Sequence, residues 1–193
     1  GRFASPRLAI AGGSVVQALA GARGAKALRL TWVDERCVPF DDPDSNRGAA
    51  YRAGSLDSSR PPAIELPLFL DHESQAAAVE RVIRQLGESF GGGLDVLLLG
   101  MGEDGHIASL FPGRAEALSS EPVVAVPDSP KPPPRRVSLT LATLATARHA
   151  VLLATGLGKR IALQRLSRAD PALPASALSA LTVVTDVHLG EQR

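Results

Sequence analysis

The stretch Asp95–Gly113, DVLLLGMGEDGHIASLFPG, decides how this 193-residue chain is organised. The apolar run Leu94–Leu99 is short and flanked by glycines, which predicts a strand buried inside a sheet. The glycine-rich segment after it carries Asp104 and His106. Because open parallel sheets bind ligands outside the carboxyl ends of their strands, this segment predicts a site that holds an acid and an imidazole together.

A surface turn that happens to contain a histidine is the alternative interpretation of the same segment. A surface turn does not need several glycines, whereas a backbone that closely approaches a ligand does. We therefore favour a site in which His106 takes and returns a proton near neutral pH. Asp104 is the candidate for the acid that orients the imidazole.

The composition excludes several classes of protein. Hydrophobic residues make up 45% of the chain and aromatic residues 4%, which predicts a globular domain with an aliphatic core. The net charge is +1, and the chain contains no block of basic residues of the kind that binds nucleic acids. No apolar run is long enough to span a membrane, and residues 1–7 lack the apolar core of a signal peptide. We expect a single cytoplasmic domain over residues 1–193, without nucleic-acid or membrane partners.

A Gly-Gly-Ser turn connects the first predicted strand, Leu8–Ala11, to a predicted helix, Val15–Ala20. Gly12 and Gly13 would let backbone N–H groups face a ligand, and Ser14 would cap the helix and offer a hydroxyl donor. This arrangement is typical of phosphate binding. An ordinary strand-to-helix turn is the alternative.

Charged residues follow the second predicted strand, Arg29–Val33, at its carboxyl end. Arg36 suits a phosphate, because its planar guanidinium binds oxyanions with two hydrogen bonds. A surface pair of Arg36 with Asp34 or Glu35 is the alternative. Cys37 is the only cysteine, which excludes an intrachain disulfide, and we expect a buried structural residue rather than a nucleophile.

Two later segments add basic candidates. Lys159 stands between a predicted strand, His149–Ala154, and a predicted helix, Arg160–Ser167, where it either binds phosphate or is exposed. The proline-rich segment 128–136 is interpreted as a rigid solvated loop, a ligand for a proline-binding domain, or a stiff lid. As a lid it would offer Lys131 or Arg136 to an anionic substrate.

Strands and helices alternate along the chain, which predicts an α/β fold with an open, mainly parallel, Rossmann-like sheet and helices on both faces. Further elements are predicted by apolar periodicity and capping residues. The predicted helices are 46–53, 73–90, 115–118 and 144–148, and the predicted strands are 123–126, 137–141 and 181–185. Residues 54–67 are predicted to be irregular.

Five motifs in this order resemble the 6-phosphogluconolactonase family. They are AGGS at 11–14, VDERCVPFDDPDSN at 33–46, LLLGMGEDGHIASLFPG at 97–113, SPKPPPRRVSLTL at 129–141 and TGLGK at 155–159. The resemblance implies hydrolysis of 6-phospho-D-glucono-1,5-lactone in the oxidative pentose phosphate pathway, with no metal or organic cofactor. It implies a small-molecule substrate, and we expect a monomer or homodimer.

The resemblance also implies roles for single residues. His106 is the expected general base, assisted by Asp104. The expected phosphate and substrate contacts are Gly12, Gly13, Ser14, Asp34, Arg36, Lys159 and Arg136. The chain departs from the family where Val15 and Val16 replace a Thr-Pro pair, and where an N-terminal helix is expected to be missing.

Lactone hydrolysis requires a deprotonated water and stabilisation of an oxyanion. Backbone N–H groups of Gly102–Gly105 are the expected oxyanion donors. The alternatives are a glucosamine-6-phosphate deaminase and a non-catalytic sugar-phosphate sensor. The deaminase is disfavoured because Ser109–Pro112 holds no acid where that enzyme carries one. The sensor is disfavoured because it has no need for His106.

Overall fold

A six-stranded parallel sheet forms the centre of the computed structural model, which describes residues 4–19 and 27–189. The strands of the described residues are β1 Arg7–Ile10, β2 Arg29–Trp32, β3 Asp34–Arg36, β4 Ile64–Leu66, β5 Val96–Gly100, β6 Val123–Val126, β7 Arg136–Leu139, β8 His149–Leu153 and β9 Leu181–Val184. The central sheet has the order β4-β2-β1-β5-β8-β9, and every neighbouring pair is parallel. The predicted mainly parallel α/β sheet is confirmed.

A second, antiparallel sheet has the order β3-β7-β6. The backbone of Val33 links the two sheets, because its N–H donates to Ile10 of β1 and its carbonyl accepts from Leu139 of β7. Residues 34–36 were predicted only as charged residues at the carboxyl end of the second strand, so strand β3 was not foreseen. They form a strand because β7, about a hundred residues further along the chain, supplies the hydrogen-bonding partner.

Four of the five helices lie close to their predicted positions. They are α1 Ser14–Ala18, α2 Asn46–Arg52, α3 Gln75–Phe90, α4 Leu141–Leu144 and α5 Arg160–Ser167, with 3₁₀ turns at Ala115–Leu118, Leu157–Lys159 and Pro174–Ala177. The hydroxyl of Ser45 accepts the Gly48 N–H and caps α2. Ser14 was wrongly predicted to cap α1, because Gly13 occupies that position with φ 62°. Residue 20, the predicted end of this helix, lies outside the described residues.

Three predictions of local structure were wrong. Strand β4 was not foreseen, because it has three residues between prolines and pairs only at the sheet edge. Helix α4 directly follows β7 and ends where the predicted helix 144–148 begins. In the predicted helix Arg160–Ser167, apolar spacing makes Ile161 available for burial, yet its side chain is 71% exposed.

Helix α3 shows why the core forms beneath the two sheets. Its residues Ala78, Val82, Leu86 and Phe90 repeat at helical spacing and are fully buried. They face β4, β6 and β7. Ser74 caps the first turn, and Gly91 ends the helix in the left-handed conformation with φ 58°.

An ion pair fixes the two central strands to each other at the end away from their carboxyl termini. The Arg7 guanidinium donates to Asp95 Oδ1 at 2.9 Å and to Oδ2 at 3.0 Å, and the Arg7 backbone N–H also donates to Oδ2. Arg7 further donates to the Phe90 carbonyl at the end of α3. This contact holds β1, β5 and α3 together. It thereby also fixes the strand ends from which the loops at the opposite edge of the sheet begin.

Candidate active site

A cleft of about 320 Å³ opens where β1, β5 and β8 end. Glycine-rich turns leave all three strands at this edge, as expected for an open parallel sheet. The cleft is lined by nearly all the predicted site residues, namely Gly12, Gly13, Ser14, Asp34, Arg36, His106, Arg136 and Lys159. Lys131 and Asn46 also line it. Asp104 contacts the cleft through His106.

His106 and Asp104 form a short hydrogen-bonded pair. The distance between His106 Nδ1 and Asp104 Oδ1 is 2.6 Å. The Phe111 ring packs against the imidazole, with the two ring centres 4.5 Å apart. With Nδ1 donating to the carboxylate, Nε2 carries the lone pair, and no described residue hydrogen bonds to it. The imidazole is therefore oriented to accept a proton within the cleft.

Burial and the neighbouring charged groups together decide the protonation of this pair. Burial lowers the pKa of His106 below its usual value, although the Asp104 carboxylate opposes this effect. Burial alone raises the pKa of Asp104, but the hydrogen bond and charge of His106 and the charge of Lys131 together bring that pKa below its usual value. At neutral pH the pair therefore consists of a neutral imidazole and an ionised carboxylate.

Gly102 is required for the close approach of the His106–Asp104 pair. A Cβ on Gly102 would lie 2.1 Å from His106 Nδ1 and 2.3 Å from Asp104 Oδ1. The Gly102 N–H donates to the His106 carbonyl, and the Gly105 N–H donates to the Gly102 carbonyl. The turn that presents His106 thus already uses two of the N–H groups in the predicted oxyanion range Gly102–Gly105, and the expectation rests on those of Glu103 and Asp104.

Behind the imidazole, Ala108 adopts φ 50°, which is uncommon for a residue with a side chain. The next residue holds this conformation in place. The Ser109 hydroxyl donates to Asp34 Oδ2 at 2.6 Å, and the Ser109 N–H donates to the hydroxyl of Ser138 on β7. The turn after His106 is thus anchored to both strands of the second sheet that line the cleft.

The side chains of strand β3 alternate between the cleft and the opposite side of the strand. Asp34 and Arg36 line the cleft, and Glu35 between them points away from it. An Arg36 Nη donates to the Asp44 carbonyl at 2.6 Å, and its buried Nε has no partner among the described residues. The alternative surface pair with Asp34 or Glu35 was wrong. Arg36 pairs directly across the ladder with Arg136, which concentrates positive charge in the cleft.

Glu35 anchors the start of α2, a contact that sequence reasoning missed. Its carboxylate accepts the backbone N–H groups of Arg36, Asn46 and Arg47 at 2.7–2.8 Å, and the Ser45 hydroxyl at 3.3 Å. Burial raises its pKa to about 7, while the three backbone hydrogen bonds act in the opposite direction. The sequence predicts a helix from Asn46, but it gives no sign that Glu35 lies beside the first turn of that helix.

Asn46 connects α2 to the Gly-Gly-Ser turn. Its amide donates to the Asp34 carbonyl at 2.9 Å, and its Oδ1 lies 2.0 Å from where a Cβ on Gly12 would stand. Gly12 is therefore needed for close packing against Asn46. Val15 and Val16 are buried in the core. The departure from the family pattern at these two positions thus changes packing beneath the turn rather than the cleft lining.

Arg136 contributes to the cleft mainly by holding the proline-rich segment. Its guanidinium donates to the carbonyls of Lys131, Pro132 and Pro133 at 2.8–3.1 Å. Its other Nη contacts the Ser109 hydroxyl at 3.4 Å. The side chain is almost fully buried, so Lys131 is the cation that the segment exposes to the cleft.

Lys159 closes the opposite side of the cleft. It ends the short 3₁₀ turn before α5 and has no ion-pair partner among the described residues. The carboxylate of Glu103 packs against Gly158, where a Cβ would lie 2.2 Å from Oε1. This contact joins the Lys159 turn to the glycine-rich segment that carries His106.

Cys37 does not line the cleft. Burial raises the pKa of its thiol to about 11, so the thiol stays protonated at neutral pH and is a poor nucleophile. In residues 4–19 and 27–189, no group of three or more His, Cys, Asp or Glu side chains is arranged to hold a metal ion. No helix in this part of the chain is long and apolar enough to cross a bilayer.

Known proteins are similar to this chain in sequence and fold. Residues 3–186 match the family of glucosamine-6-phosphate isomerases and 6-phosphogluconolactonase. The 6-phosphogluconolactonase of Rattus norvegicus is 38% identical over 198 residues, covering 94% of this chain and 76% of the rat protein. The crystal structure of the Thermotoga maritima 6-phosphogluconolactonase is similar with a TM-score of 0.78 and 25% identity, over 95% of this chain and 85% of the other. The Trypanosoma brucei enzyme gives 0.75 and 27%, over 95% and 84%.

Proposed function

Because the chain belongs to the glucosamine-6-phosphate isomerase and 6-phosphogluconolactonase family, we propose that it hydrolyses 6-phospho-D-glucono-1,5-lactone to 6-phospho-D-gluconate. In cells this reaction serves the oxidative pentose phosphate pathway. The observation that carries the proposal is the Asp104–His106 pair beside a cleft that Arg36, Lys131 and Lys159 make basic. A sugar-phosphate lactone needs both features, a base for water and cations for the phosphate.

In the proposed reaction, His106 Nε2 takes a proton from water as the water oxygen attacks the lactone carbonyl carbon. The carbonyl π electrons move to its oxygen and form a tetrahedral oxyanion. When the carbonyl re-forms, the bond from the carbonyl carbon to the ring oxygen breaks. The imidazolium returns its proton to that leaving oxygen, so His106 ends neutral. The new carboxylic acid then releases the second proton of the water to solvent and becomes the carboxylate of 6-phospho-D-gluconate. Asp104 holds the ring in place and stabilises the imidazolium between the two proton transfers.

The reaction itself is tested with the purified chain and freshly prepared 6-phosphogluconolactone, measured above spontaneous hydrolysis. We expect acceleration with this substrate and much less with gluconolactone, which lacks the phosphate. Absence of acceleration would contradict the proposal. Ammonia release from glucosamine 6-phosphate would favour the deaminase, and tight binding of 6-phosphogluconate without turnover would favour the sensor.

Arg36 and Lys159 are proposed to bind the phosphate in the ground state and transition state alike. Arg36→Ala and Lys159→Ala are therefore expected to raise KM by roughly 10- to 100-fold, the effect of losing a charged hydrogen bond, with a smaller change in kcat. Steady-state kinetics check this result. Arg60→Ala, at an exposed arginine outside the cleft, is the control and should leave KM unchanged. An unchanged KM in both cleft variants would remove these residues from the phosphate site.

The single-domain organisation, the cytoplasmic location and the monomer or homodimer state stay predictions from the sequence. The same holds for the roles of Gly12, Gly13, Ser14, Asp34 and Arg136 as substrate contacts. Their position around one cleft supports these roles.

A further inference from the structure

The proline-rich segment contributes an ion pair to the catalytic pair. Lys131 Nζ lies 3.3 Å from Asp104 Oδ2, while Oδ1 of the same carboxylate contacts His106 Nδ1 at 2.6 Å. The three groups thus form a row from ammonium to carboxylate to imidazole. Asp104 has one oxygen for each neighbour, so its orientation is set from both sides.

Lys131 is held in place by its own segment. Its backbone N–H donates to the Ser129 hydroxyl, and its carbonyl accepts from Arg136 at 2.8 Å. The Ser129 N–H donates to the Pro134 carbonyl at 2.8 Å, which closes the segment on itself. The three prolines 132–134 fix their φ angles, so little backbone freedom is lost when the ammonium takes this position. The segment is therefore a stiff support for one cation.

We propose that Lys131 is a positioning residue for His106, acting through Asp104 rather than only through the substrate. The inference rests on the proposed lactonase function for its kinetic readout. Its ammonium holds Oδ2 so that Oδ1 faces Nδ1, which fixes the tautomer whose Nε2 accepts the proton from water. This role does not require Lys131 to bind the substrate phosphate. A phosphate bound elsewhere in the cleft would leave the row of Lys131, Asp104 and His106 intact.

The charges around the imidazole determine the sign of the expected effect. Asp104 and Asp34 favour the imidazolium, Lys131 disfavours it, and Phe111 covers one face of the ring without a charge. Loss of the Lys131 charge therefore makes protonation of His106 easier. The base must be unprotonated to act, so its activity should be lost at a higher pH than in the parent protein.

The experiment compares Lys131→Met, Lys131→Arg and Arg135→Met with the parent protein. Nearly half of the Lys131 side chain is exposed to water, so methionine fits without disturbing the core. Arg135→Met removes one charge from the same segment at a residue that does not line the cleft. For each protein, an NMR titration follows the His106 imidazole without substrate, and kcat/KM is measured across the acid range.

We expect Lys131→Met to shift both the His106 titration and the acid limb of kcat/KM to higher pH. Lys131→Arg should return both towards the parent values, and Arg135→Met should leave both unchanged. An unchanged His106 titration in Lys131→Met, with only a raised KM, would overturn the proposal and make Lys131 a substrate contact. An equal shift in Arg135→Met would overturn it in favour of a general charge effect. Because the titration needs no turnover, an inactive parent protein would contradict the lactonase function and leave this test intact.

Discussion

Replacing His106 with glutamine is expected to lower kcat for lactone hydrolysis by about 10²- to 10⁴-fold, the usual contribution of a positioned general base. Glutamine keeps a polar side chain of similar size beside Asp104 but cannot take a proton near neutral pH. KM should change little, because the basic residues that would bind the phosphate are untouched. The measurement is the initial rate above spontaneous hydrolysis, with circular dichroism to confirm that the variant is folded.

The control for this experiment is His188→Gln, at an exposed histidine that does not line the cleft. It should keep the parent rate. In the parent protein, kcat/KM should be level above the ordinary pKa of histidine and fall in more acidic solution, because burial lowers the pKa of His106. A folded His106→Gln variant that retains most of the parent rate would show that another group activates the water.

Replacing Asp95 with asparagine is expected to lower the free energy of unfolding by about 2–3 kcal/mol. This is near the lower end of the cost of breaking a buried ion pair, because about a quarter of the Arg7 side chain remains in water. The amide retains the volume but loses the charge that faces the guanidinium. Urea unfolding of both proteins at neutral pH measures the difference.

The stability difference should also depend on pH. The hydrogen bond from Arg7 holds the pKa of Asp95 below its ordinary value. A carboxylate with a depressed native pKa contributes its full stability above the unfolded pKa, and loses it as the pH falls through the native pKa. The two unfolding curves should therefore converge in acid. Asp170→Asn is the control, because its pair with Arg165 at 2.7 Å is more exposed and should contribute little. Equal effects at both sites would contradict the importance of burial.

The sequence was most informative where the interacting residues lie within one short segment. Asp104 and His106 are two residues apart within a glycine-rich turn after a buried strand, so their pairing depends on local geometry. The helix boundaries set by Ser45 and Gly91 were predictable for the same reason. The glycines of this segment were predicted to let the backbone approach a ligand closely, and at Gly102 the structure shows that His106 and Asp104 also approach closely.

Contacts between distant segments could not be predicted in the same way. The strand at residues 34–36 exists because β7 pairs with it, and Asp104 meets Lys131 because the second sheet returns the proline-rich segment to the cleft. The periodicity of the sequence does not indicate which of these distant residues meet. For a related reason the sequence did not exclude Gly102 and Gly105 as oxyanion donors, since their hydrogen bonds within the turn are visible only in three dimensions.

The pairing of β3 with β7 constrains the length of the chain at this point, as well as its composition. Asp34 and Arg36 reach the cleft, and Glu35 reaches the start of α2, because side chains alternate along the strand. One residue inserted or deleted between β2 and β3 would turn Asp34 and Arg36 away from the cleft. It would also turn Glu35, the acid that anchors α2, towards the substrate. Related lactonases should therefore vary in length elsewhere, as in the mostly exposed segment 54–63, and keep this spacing unchanged.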